Sequence, residues 1–497
     1  MRITHWIDGK PYTDEADRWG DVFDPATGEI RDRVDFASTE VVDGAVASAS
    51  RAFAGWRDMS LAKRSQVLFS LREILSRRVD DLAAIITAEH GKTFDDAQGE
   101  VRRGLEVVEL ACGLGHLLKG QASENVSTGI DASSARQPLG VVVGITPFNF
   151  PVMVPLWMCP IAVACGNAFI LKPSEKDPSA SLLLAELWSE AGLPEGIFNV
   201  VQGDRVAVDA LLTHPDVAAV SFVGSTPIAR HVYETGTAHG KRVQALGGAK
   251  NHMVVLPDAD VDVAADAATS AGFGAAGERC MAVSVVVAVD PVGDRLVEAI
   301  ADRARSVRVG PGADPDSQMG PLITREHRDR VAGYLDEGVA EGAALVVDGR
   351  DLATSGEPGG FWLGPSVFDQ VGAEMSVYTD EIFGPVLSVV RAPSYEEALE
   401  LVNANPYGNG AAIFTADGGA ARRFAHEVKA GMVGINVPIP VPPATFPFGG
   451  WKSSLFGDTH VYGTEGVHFY TRNKVTLTRW PEPSDERALQ LGFPRNS

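Results

Sequence analysis

Apolar residues recur at helical spacing in the first quarter of the chain, between about residues 41 and 118. Leu68, Leu71 and Leu75 are three and four residues apart, and arginines fill positions between and after them. This spacing places the apolar side chains on one face of a helix. We therefore predict that this quarter consists of several helices.

The pattern then changes to short apolar runs rich in β-branched residues, with a helical stretch at residues 180–191 between two of them. The runs cover residues 140–145, 168–171, 197–201 and 219–223. Strands that alternate with helices form parallel βαβ units, and these assemble into a doubly wound sheet. The fold class predicted is α/β, with a ligand at the carboxyl ends of the strands.

A second alternation begins after His252 and predicts a second α/β domain. Its apolar runs cover residues 253–256, 283–289, 345–347 and 386–390. Near the end of the chain, residues 467–480 are predicted to contain a strand. An isolated late strand has to pair with another strand, and a neighbouring subunit is one candidate.

Composition places the chain among ordinary globular proteins, with 45% hydrophobic and 22% charged residues in 497 positions. This length allows about two or three domains. The formal net charge of −22 argues against nucleic acid as a partner. The longest apolar stretch, residues 148–170, is interrupted by three prolines, so no membrane span is expected.

The chain has only four cysteines, Cys112, Cys159, Cys165 and Cys280, and no Cys-x-x-Cys pair. They fit reduced thiols, so a cytoplasmic location is expected, with no disulfide framework and no metal site.

Cys280 is the candidate nucleophile. It follows residues 272–277, which are all small apart from Phe273, and stands directly after Arg279. A neighbouring cation favours the thiolate, and small residues permit close approach of a ligand. The alternative is a buried, inert thiol, which is the usual environment of a free cysteine.

Six patches resemble the aldehyde dehydrogenase superfamily, in the same order along nearly the whole chain. They are residues 147–151 (PFNFP), 172–175 (KPSE), 222–225 (FVGS), 277–280 (GERC), 381–385 (EIFGP) and 447–450 (PFGG). Further patches are similar to the CoA-acylating methylmalonate- and malonate-semialdehyde dehydrogenases: residues 248–252 (GAKNH), 278–282 (ERCMA), 448–454 (FGGWKSS) and 469–472 (FYTR).

The resemblance implies that Cys280 attacks an aldehyde and that NAD accepts the hydride. It also implies that the Asn149 side-chain amide and the Cys280 backbone N–H stabilise the oxyanion. Without the resemblance, Asn149 reads as a turn residue between two prolines.

The resemblance further implies a set of residues that bind NAD. They are Thr146, Phe148, Lys172, Glu175, Lys176, Ser225, Gly247 and Glu381. Glu175 suits free ribose hydroxyls and would repel a 2′-phosphate. Ser225 lies between a predicted strand and a predicted helix, where a pyrophosphate can bind at the helix N-terminus.

One departure from the family pattern concerns the step in which the acyl group is removed from Cys280. Hydrolytic aldehyde dehydrogenases have a Glu-Leu-Gly-Gly-Lys motif whose glutamate activates water. Aligning its lysine with Lys250 places Leu246 at the glutamate position, and a shift of one residue places Ala245 there. Neither side chain accepts a proton, which favours coenzyme A over water as the acyl acceptor. A remote carboxylate would still permit the alternative, a hydrolytic enzyme that releases a free acid.

Two arginines suggest the substrate. Arg279, beside the nucleophile, and Arg103 match the positions that bind a substrate carboxylate in the family, although Arg102 competes with Arg103 for that role. The substrate expected is a small-molecule semialdehyde, methylmalonate or malonate semialdehyde, converted with loss of CO₂ to propionyl-CoA or acetyl-CoA. An alternative from another class is a non-catalytic NAD-binding homologue.

The resemblance also implies a division of the chain. Residues 1–118 and 138–246 are expected to form the NAD-binding domain, and residues 247–450 the catalytic domain. Residues 119–137 and 465–482 are expected to form a small β element for oligomerisation, which predicts a homo-oligomer, either a dimer or a tetramer.

Overall fold

The computed structural model describes residues 2–480, so residues 481–482 of the expected oligomerisation element lie outside the described part, as does Met1. The helices are α1 (Thr39–Asp58), α2 (Leu61–Arg77), α3 (Val79–His90), α4 (Phe94–Cys112), α5 (Met153–Ala164), α6 (Ser179–Glu190), α7 (Arg205–Thr213), α8 (Thr226–Ala238), α9 (Val261–Phe273), α10 (Gly293–Ser306), α11 (Arg325–Ala340), α12 (Ser376–Thr379), α13 (Tyr395–Ala404), α14 (Gly418–Glu427) and α15 (Gly463–Phe469).

The strands, in chain order, are β1 (Arg2–Ile3), β2 (Trp6–Ile7), β3 (Lys10–Pro11), β4 (Trp19–Asp24), β5 (Glu29–Asp35), β6 (Ala122–Ser127), β7 (Ile130–Pro138), β8 (Val141–Ile145), β9 (Ala168–Lys172), β10 (Phe198–Val200), β11 (Val217–Val223), β12 (Arg242–Leu246), β13 (Asn251–Val255), β14 (Val283–Val289), β15 (Ala344–Val347), β16 (Ser366–Asp369), β17 (Val386–Ala392), β18 (Tyr407–Gly408), β19 (Gly410–Phe414), β20 (Met432–Ile435), β21 (Trp451–Lys452), β22 (Leu455–Phe456) and β23 (Thr471–Thr478).

The helices predicted for residues 41–118 are confirmed as α1 to α4, which begin and end at defined caps. Ser38 caps α1 and Thr93 caps α4 by accepting a backbone N–H of the first turn. Gly91 ends α3 in the left-handed conformation that a C-terminal glycine adopts without strain. Leu68, Leu71 and Leu75 are buried on one face of α2, as their spacing predicts.

The first large sheet has eight strands in the order β22-β12-β11-β8-β9-β10-β2-β3. Its central strands β12, β11, β8, β9 and β10 are parallel, and the outer ones are antiparallel. The chain moves outward from β8 in both directions, which makes this a doubly wound sheet. The parallel strands are buried on both faces, which explains their continuous apolar sequences.

The second large sheet has seven strands in the order β15-β16-β17-β14-β13-β19-β20. All its neighbours are parallel except β15, which pairs antiparallel with β16 at one edge. It lies within a separate hydrophobic core, to which its central strands contribute together with helices α9 and α10. The second α/β unit predicted from the sequence is therefore present.

A small antiparallel sheet joins β6 and β7 to the late strand β23. The predicted strand at residues 467–480 is wrong for its first three residues, because residues 463–469 form α15. Val467 and Phe469 are buried in the first core, and Gly466 lets the helix approach Ile161 of α5 closely. Strand β23 finds its partner within the chain, in β7.

Within residues 2–480, no helix combines the length and the apolar character needed to cross a membrane.

Candidate active site

Cys280 lies in a strained loop between α9 and β14. The two alanines at 275 and 276 have positive φ angles of 50° and 53°, a conformation that costs a non-glycine residue free energy. Gly277 also has a positive φ, and a Cβ atom there would lie 2.3 Å from the Gly384 carbonyl oxygen. The loop therefore keeps this shape only because its surroundings hold it.

The Cys280 backbone is fixed by two side-chain amides. Its carbonyl oxygen accepts hydrogen bonds from Asn251 Nδ2 at 2.9 Å and from Asn409 Nδ2 at 3.1 Å. The residue is partly exposed and borders two cavities, one of about 590 Å³ and one of about 390 Å³. It can therefore be reached by ligands in both.

The protonation state expected for Cys280 has to be corrected. Although the residue is partly exposed, the protein atoms around its sulfur desolvate the thiol and raise its pKa to about 12. Glu381 adds to the increase, whereas the Cys280 and Met281 backbone N–H groups and the charge of Arg279 oppose it. The charge of Arg279 has the smallest effect, in part because its guanidinium forms an ion pair with Asp96. Desolvation therefore outweighs the neighbouring cation, and the resting thiol is neutral.

Asn149 lies in the turn between β8 and α5 and is 4% exposed. Its Nδ2 donates a hydrogen bond to the Glu278 carbonyl oxygen at 3.0 Å, two residues before Cys280. Asn149 and Cys280 both line the 590 Å³ cavity. The turn residue and the thiol are thus brought together, as an oxyanion site requires.

The 590 Å³ cavity is a cleft at the carboxyl ends of the first sheet's strands. Of the expected cofactor residues, it is lined by Phe148, Lys176, Ser225, Gly247 and Glu381. Lys176 Nζ lies 4.6 Å from the centre of the Phe148 ring. Two adjoining structures, the α8 N-terminus and the Gly247–Gly248 segment, form one wall.

Ser225 occupies the N-cap position of α8, yet its side chain makes no capping hydrogen bond. The first N–H groups of a helix have no intrahelical partners and carry partial positive charge. The wall of the cleft therefore offers an anion site of the kind that binds phosphate.

Glu381 extends into the same cleft, where its Oε1 accepts the Ala249 N–H at 2.8 Å. Burial raises the pKa of this carboxyl to about 7, opposed by the Ala249 N–H and by Lys250. Burial also lowers the pKa of Lys250 to about 8.

The other three expected cofactor residues, Thr146, Lys172 and Glu175, are not among the residues that line the cleft. They lie at the carboxyl ends of β8 and β9, where the Thr146 N–H donates to the Lys172 carbonyl oxygen. Lys172 Nζ bonds Glu175 Oε2 at 3.2 Å. Their position beside the cleft is compatible with contact to an extended ligand.

The 390 Å³ cavity lies on the other side of Cys280. Arg103 and Arg279 both line it, together with aromatic and aliphatic side chains. Both arginines already have carboxylate partners, since Arg103 pairs with Glu106 at 2.8 Å and Arg279 with Asp96. Arg102, the competing arginine, is exposed and is not among the lining residues.

The arginines keep donors free for a ligand. Arg279 Nη2 is bound to Asp96. Arg103 uses Nη1 for Glu106 and Nη2 for the carbonyl oxygens of Val441 and Pro442. A guanidinium has five N–H donors. These bonds occupy the four Nη hydrogens of Arg103 and leave its Nε–H, while Arg279 keeps Nε and Nη1 to donate to a further carboxylate.

Gly274 allows Arg279 to adopt this position, because a Cβ atom there would lie 2.5 Å from Arg279 Nη1.

Sequence reasoning missed several polar residues around the cavities. Asp96 and Glu100 line the 390 Å³ cavity from α4 beside the predicted Arg103, and the spacing of four and three residues places all three on one helix face. That spacing was a usable signal. Lys92 and His327 carry no comparable signal, because their contacts at the site are with residues distant in sequence.

Glu278 is a further residue that the sequence did not single out. It is fully buried, and burial raises the pKa of its carboxyl to about 8. His327 Nε2 lies 3.4 Å from Glu278 Oε1, and burial lowers the pKa of that histidine to about 4. Both groups are therefore neutral near pH 7, as buried groups without a full countercharge tend to be.

Leu246 ends β12 and is buried, as is Ala245 before it. Both alignments with the Glu-Leu-Gly-Gly-Lys motif therefore place an apolar side chain, at the end of β12, in the position of the motif's glutamate.

Comparison with known proteins agrees with this geometry. The family model described as the aldehyde dehydrogenase family matches residues 12–476. The chain belongs to the aldehyde dehydrogenase family. A malonate-semialdehyde dehydrogenase from Pseudomonas aeruginosa is 54% identical over 493 residues, covering 99% of each chain.

Two solved structures have the same aldehyde dehydrogenase fold. A methylmalonate-semialdehyde dehydrogenase from Oceanimonas doudoroffii is 53% identical, with a TM-score of 0.95 over 97% of this chain and 99% of the other. A candidate methylmalonate-semialdehyde dehydrogenase from Sinorhizobium meliloti 1021, complexed with NAD, is 52% identical, with a TM-score of 0.96 over the same shares.

Proposed function

We propose that this aldehyde dehydrogenase oxidises malonate or methylmalonate semialdehyde with NAD. The product loses CO₂, and the acyl group passes to coenzyme A, giving acetyl-CoA or propionyl-CoA. The observation that carries the proposal is the cavity in which Arg103, Arg279 and Cys280 meet. The names of the relatives at 54% and 53% identity support the same substrates.

The cleft on the other side of Cys280 fits NAD. The uncapped N-terminus of α8 suits the pyrophosphate, and Glu381 suits a ribose hydroxyl. Phe148, Lys176 and Gly247 would line the remainder, with Thr146, Lys172 and Glu175 beside the adenosine end. NAD, when bound, accepts the hydride that leaves the substrate carbon.

The residues at the two cavities have separate roles in the reaction. Arg103 and Arg279 hold the substrate carboxylate, which places the aldehyde carbon at Cys280. The thiolate of Cys280 attacks that carbon, and the Asn149 amide and the Cys280 N–H stabilise the oxyanion. Because the neutral thiol is favoured at rest, the thiol must first lose its proton, which passes to solvent at the partly exposed Cys280.

Oxidation leaves a thioester on Cys280 whose carboxylate is β to the carbonyl. The bond between the carboxylate and the α-carbon breaks, its electron pair enters the thioester as an enolate, and CO₂ leaves. Protonation of the α-carbon then gives the acyl group. The thiolate of coenzyme A attacks the thioester carbonyl and releases Cys280.

We assign residues 1–118 and 138–246 to NAD binding and residues 247–450 to catalysis. Residues 119–137 together with 465–480 would form the oligomerisation element of a cytoplasmic homo-oligomer. The three-stranded sheet of β6, β7 and β23 supports this last assignment, because it stands apart from both large sheets.

Hydrolysis is the second candidate for the last step. Glu381 lines the cleft with Cys280, and its pKa is raised to about 7, which suits a general base for water. The apolar ends of β12 at Ala245 and Leu246 favour coenzyme A instead.

The wild-type time course with malonate semialdehyde and NAD separates the two. Without coenzyme A, NADH should form as a burst of about one equivalent per active site and then nearly stop. With coenzyme A, turnover should continue and acyl-CoA should accumulate. Sustained NADH formation without coenzyme A, with free acid as product, would move the chain to the hydrolytic class.

Substrate selection is tested with Arg279→Gln on malonate semialdehyde and on propionaldehyde, which lacks the carboxylate. Losing one partner of a buried charge pair costs roughly 2–5 kcal/mol, so kcat/KM for the semialdehyde should fall by at least about thirtyfold. The value for propionaldehyde should change little. Equal losses on both substrates would show that Arg279 does not read the carboxylate.

A further inference from the structure

A buried ion pair lies behind the turn that carries Asn149. Lys92 comes from the loop between α3 and α4, and Glu100 from α4. Lys92 Nζ and Glu100 Oε2 are 2.8 Å apart, and their side chains are 1% and 0% exposed. An ion pair this deeply buried pays a large desolvation cost, so its contribution to stability alone is small or negative.

Lys92 contacts the turn at Asn149, the residue whose amide is proposed to bind the oxyanion. Its Nζ donates a hydrogen bond of 2.6 Å to the backbone carbonyl oxygen of Asn149 itself. The same ammonium lies 4.4 Å from the centre of the Phe150 ring. One charged group thus fixes the Asn149 peptide and the ring that follows it.

Glu100 fixes the other end of the turn. Its Oε1 accepts the backbone N–H groups of Val152, at 2.8 Å, and of Met153, at 3.1 Å. These groups lie at the N-terminus of α5, where backbone donors lack intrahelical partners. The carboxylate therefore holds the start of α5 while the lysine holds the Asn149 carbonyl.

We propose that the Lys92–Glu100 pair is a positioning device for the Asn149 amide. It spans the turn from Asn149 to Met153 and sets where Asn149 Nδ2 stands relative to Cys280. The proposal rests on the oxyanion role assigned to Asn149 above. An oxyanion donor acts only when it is held where the negative charge develops, and displacement by about 1 Å can cost about a hundredfold in rate.

If Lys92 acts by positioning Asn149, the effects of replacing the two residues on the reaction rate are coupled. If Lys92 only stabilises the fold, the two effects are independent. The experiment compares wild type, Lys92→Met, Asn149→Ala and the double variant, by the single-turnover rate of NADH formation with malonate semialdehyde. Lys92→Met should slow this step about a hundredfold. In the double variant it should add almost nothing to the loss caused by Asn149→Ala, because the device then has no amide to position.

Two further measurements show whether the rest of the site is intact. In Lys92→Met, the rate of Cys280 alkylation by iodoacetamide and the NAD dissociation constant should each remain within about twofold of wild type, while hydride transfer falls about a hundredfold. Lys63→Met, at an exposed lysine of α2, is the matched control and should leave all rates unchanged. Should Lys92→Met not fold, Glu100→Gln replaces it in the same cycle.

The results of these experiments separate the positioning role of the Lys92–Glu100 pair from the alternatives. Additive losses in the double variant would overturn the positioning role and leave the oxyanion role of Asn149 in place. Parallel losses of alkylation rate and NAD affinity would overturn it in favour of a purely structural role. Asn149→Ala with wild-type single-turnover rate would overturn both this inference and the proposed oxyanion role.

Discussion

At the scale of single residues, Cys280 shows why sequence neighbours predict a charge environment poorly. The sequence places Arg279 beside it, which favours a thiolate. In the folded chain Arg279 is paired with Asp96, and Glu381 faces the thiol from the cleft. Burial dominates these charges, so the thiol is neutral in the free enzyme.

The pH dependence of Cys280 reactivity follows from this environment. Because its pKa is raised to about 12, the thiolate fraction should increase about tenfold per pH unit throughout the accessible range. The rate of iodoacetamide alkylation of the free enzyme, followed by mass spectrometry of the Cys280 peptide, should therefore increase from pH 6.5 to pH 9 without levelling off. Cys280→Ser, measured by iodoacetamide uptake of the whole protein, gives the contribution of the other three cysteines. A plateau below pH 8 would contradict a desolvated thiol.

At the scale of secondary structure, the parallel strands were the most predictable elements. Strands such as β8, β9 and β14 are buried on both faces, so they read as continuous apolar runs. The first strands, β1 to β5, were not predicted, because most of their residues are exposed or half-exposed and show no clear period. The misassigned start of the last strand has a different origin, since its buried apolar positions suit a short helix as well as a strand.

The residues of the candidate site that lie in recognisable motifs were predictable from the sequence. Cys280, Asn149 and Glu381 stand in patches that the sequence displays, and the fold gathers them around one cleft. The pairing of Lys92 with Glu100 was not predictable, because it depends on α4 packing against the turn before α5. Side chains that act by holding others leave little trace in a single sequence.

The N-terminus of α8 gives a prediction at this scale, through Ser225→Asp. Aspartate is a good N-cap and interacts favourably with the helix dipole, by about 0.3–1 kcal/mol, so the cofactor-free protein should be slightly more stable. The same carboxylate would face the pyrophosphate proposed there. Since like charges in contact cost several kcal/mol, the NAD dissociation constant should increase at least about tenfold.

Thermal unfolding and a fluorescence titration with NAD measure the two effects. Ser225→Asn is the matched control, because it has the shape of aspartate and caps equally well without the charge. Similar NAD affinities for the aspartate and asparagine variants would show that no phosphate binds at this helix end.

At the scale of the whole molecule, the three-stranded sheet presents exposed apolar side chains on one face of its edge strand. On β23, Val475 and Leu477 are 68% and 67% exposed and alternate along the strand, so they share one face. The opposite face carries Arg472, Lys474 and Thr476. An exposed apolar stripe along a strand whose outer edge has no partner among the described strands is typical of a subunit interface. We therefore expect a second copy of the chain to cover it.

Replacing Val475 and Leu477 together with lysine should weaken that association. The two lysines would have to be buried without partners, and each unpaired buried charge costs several kcal/mol. Light scattering at micromolar concentration should show a mass that falls toward that of one chain. Thr476→Lys with Thr478→Lys is the matched control, because it makes the same change in net charge on the opposite face of β23 and should leave the assembly intact. If the first variant keeps the wild-type mass, the apolar face is not the interface. If both variants dissociate, the whole strand, and not one face, contacts the neighbouring subunit.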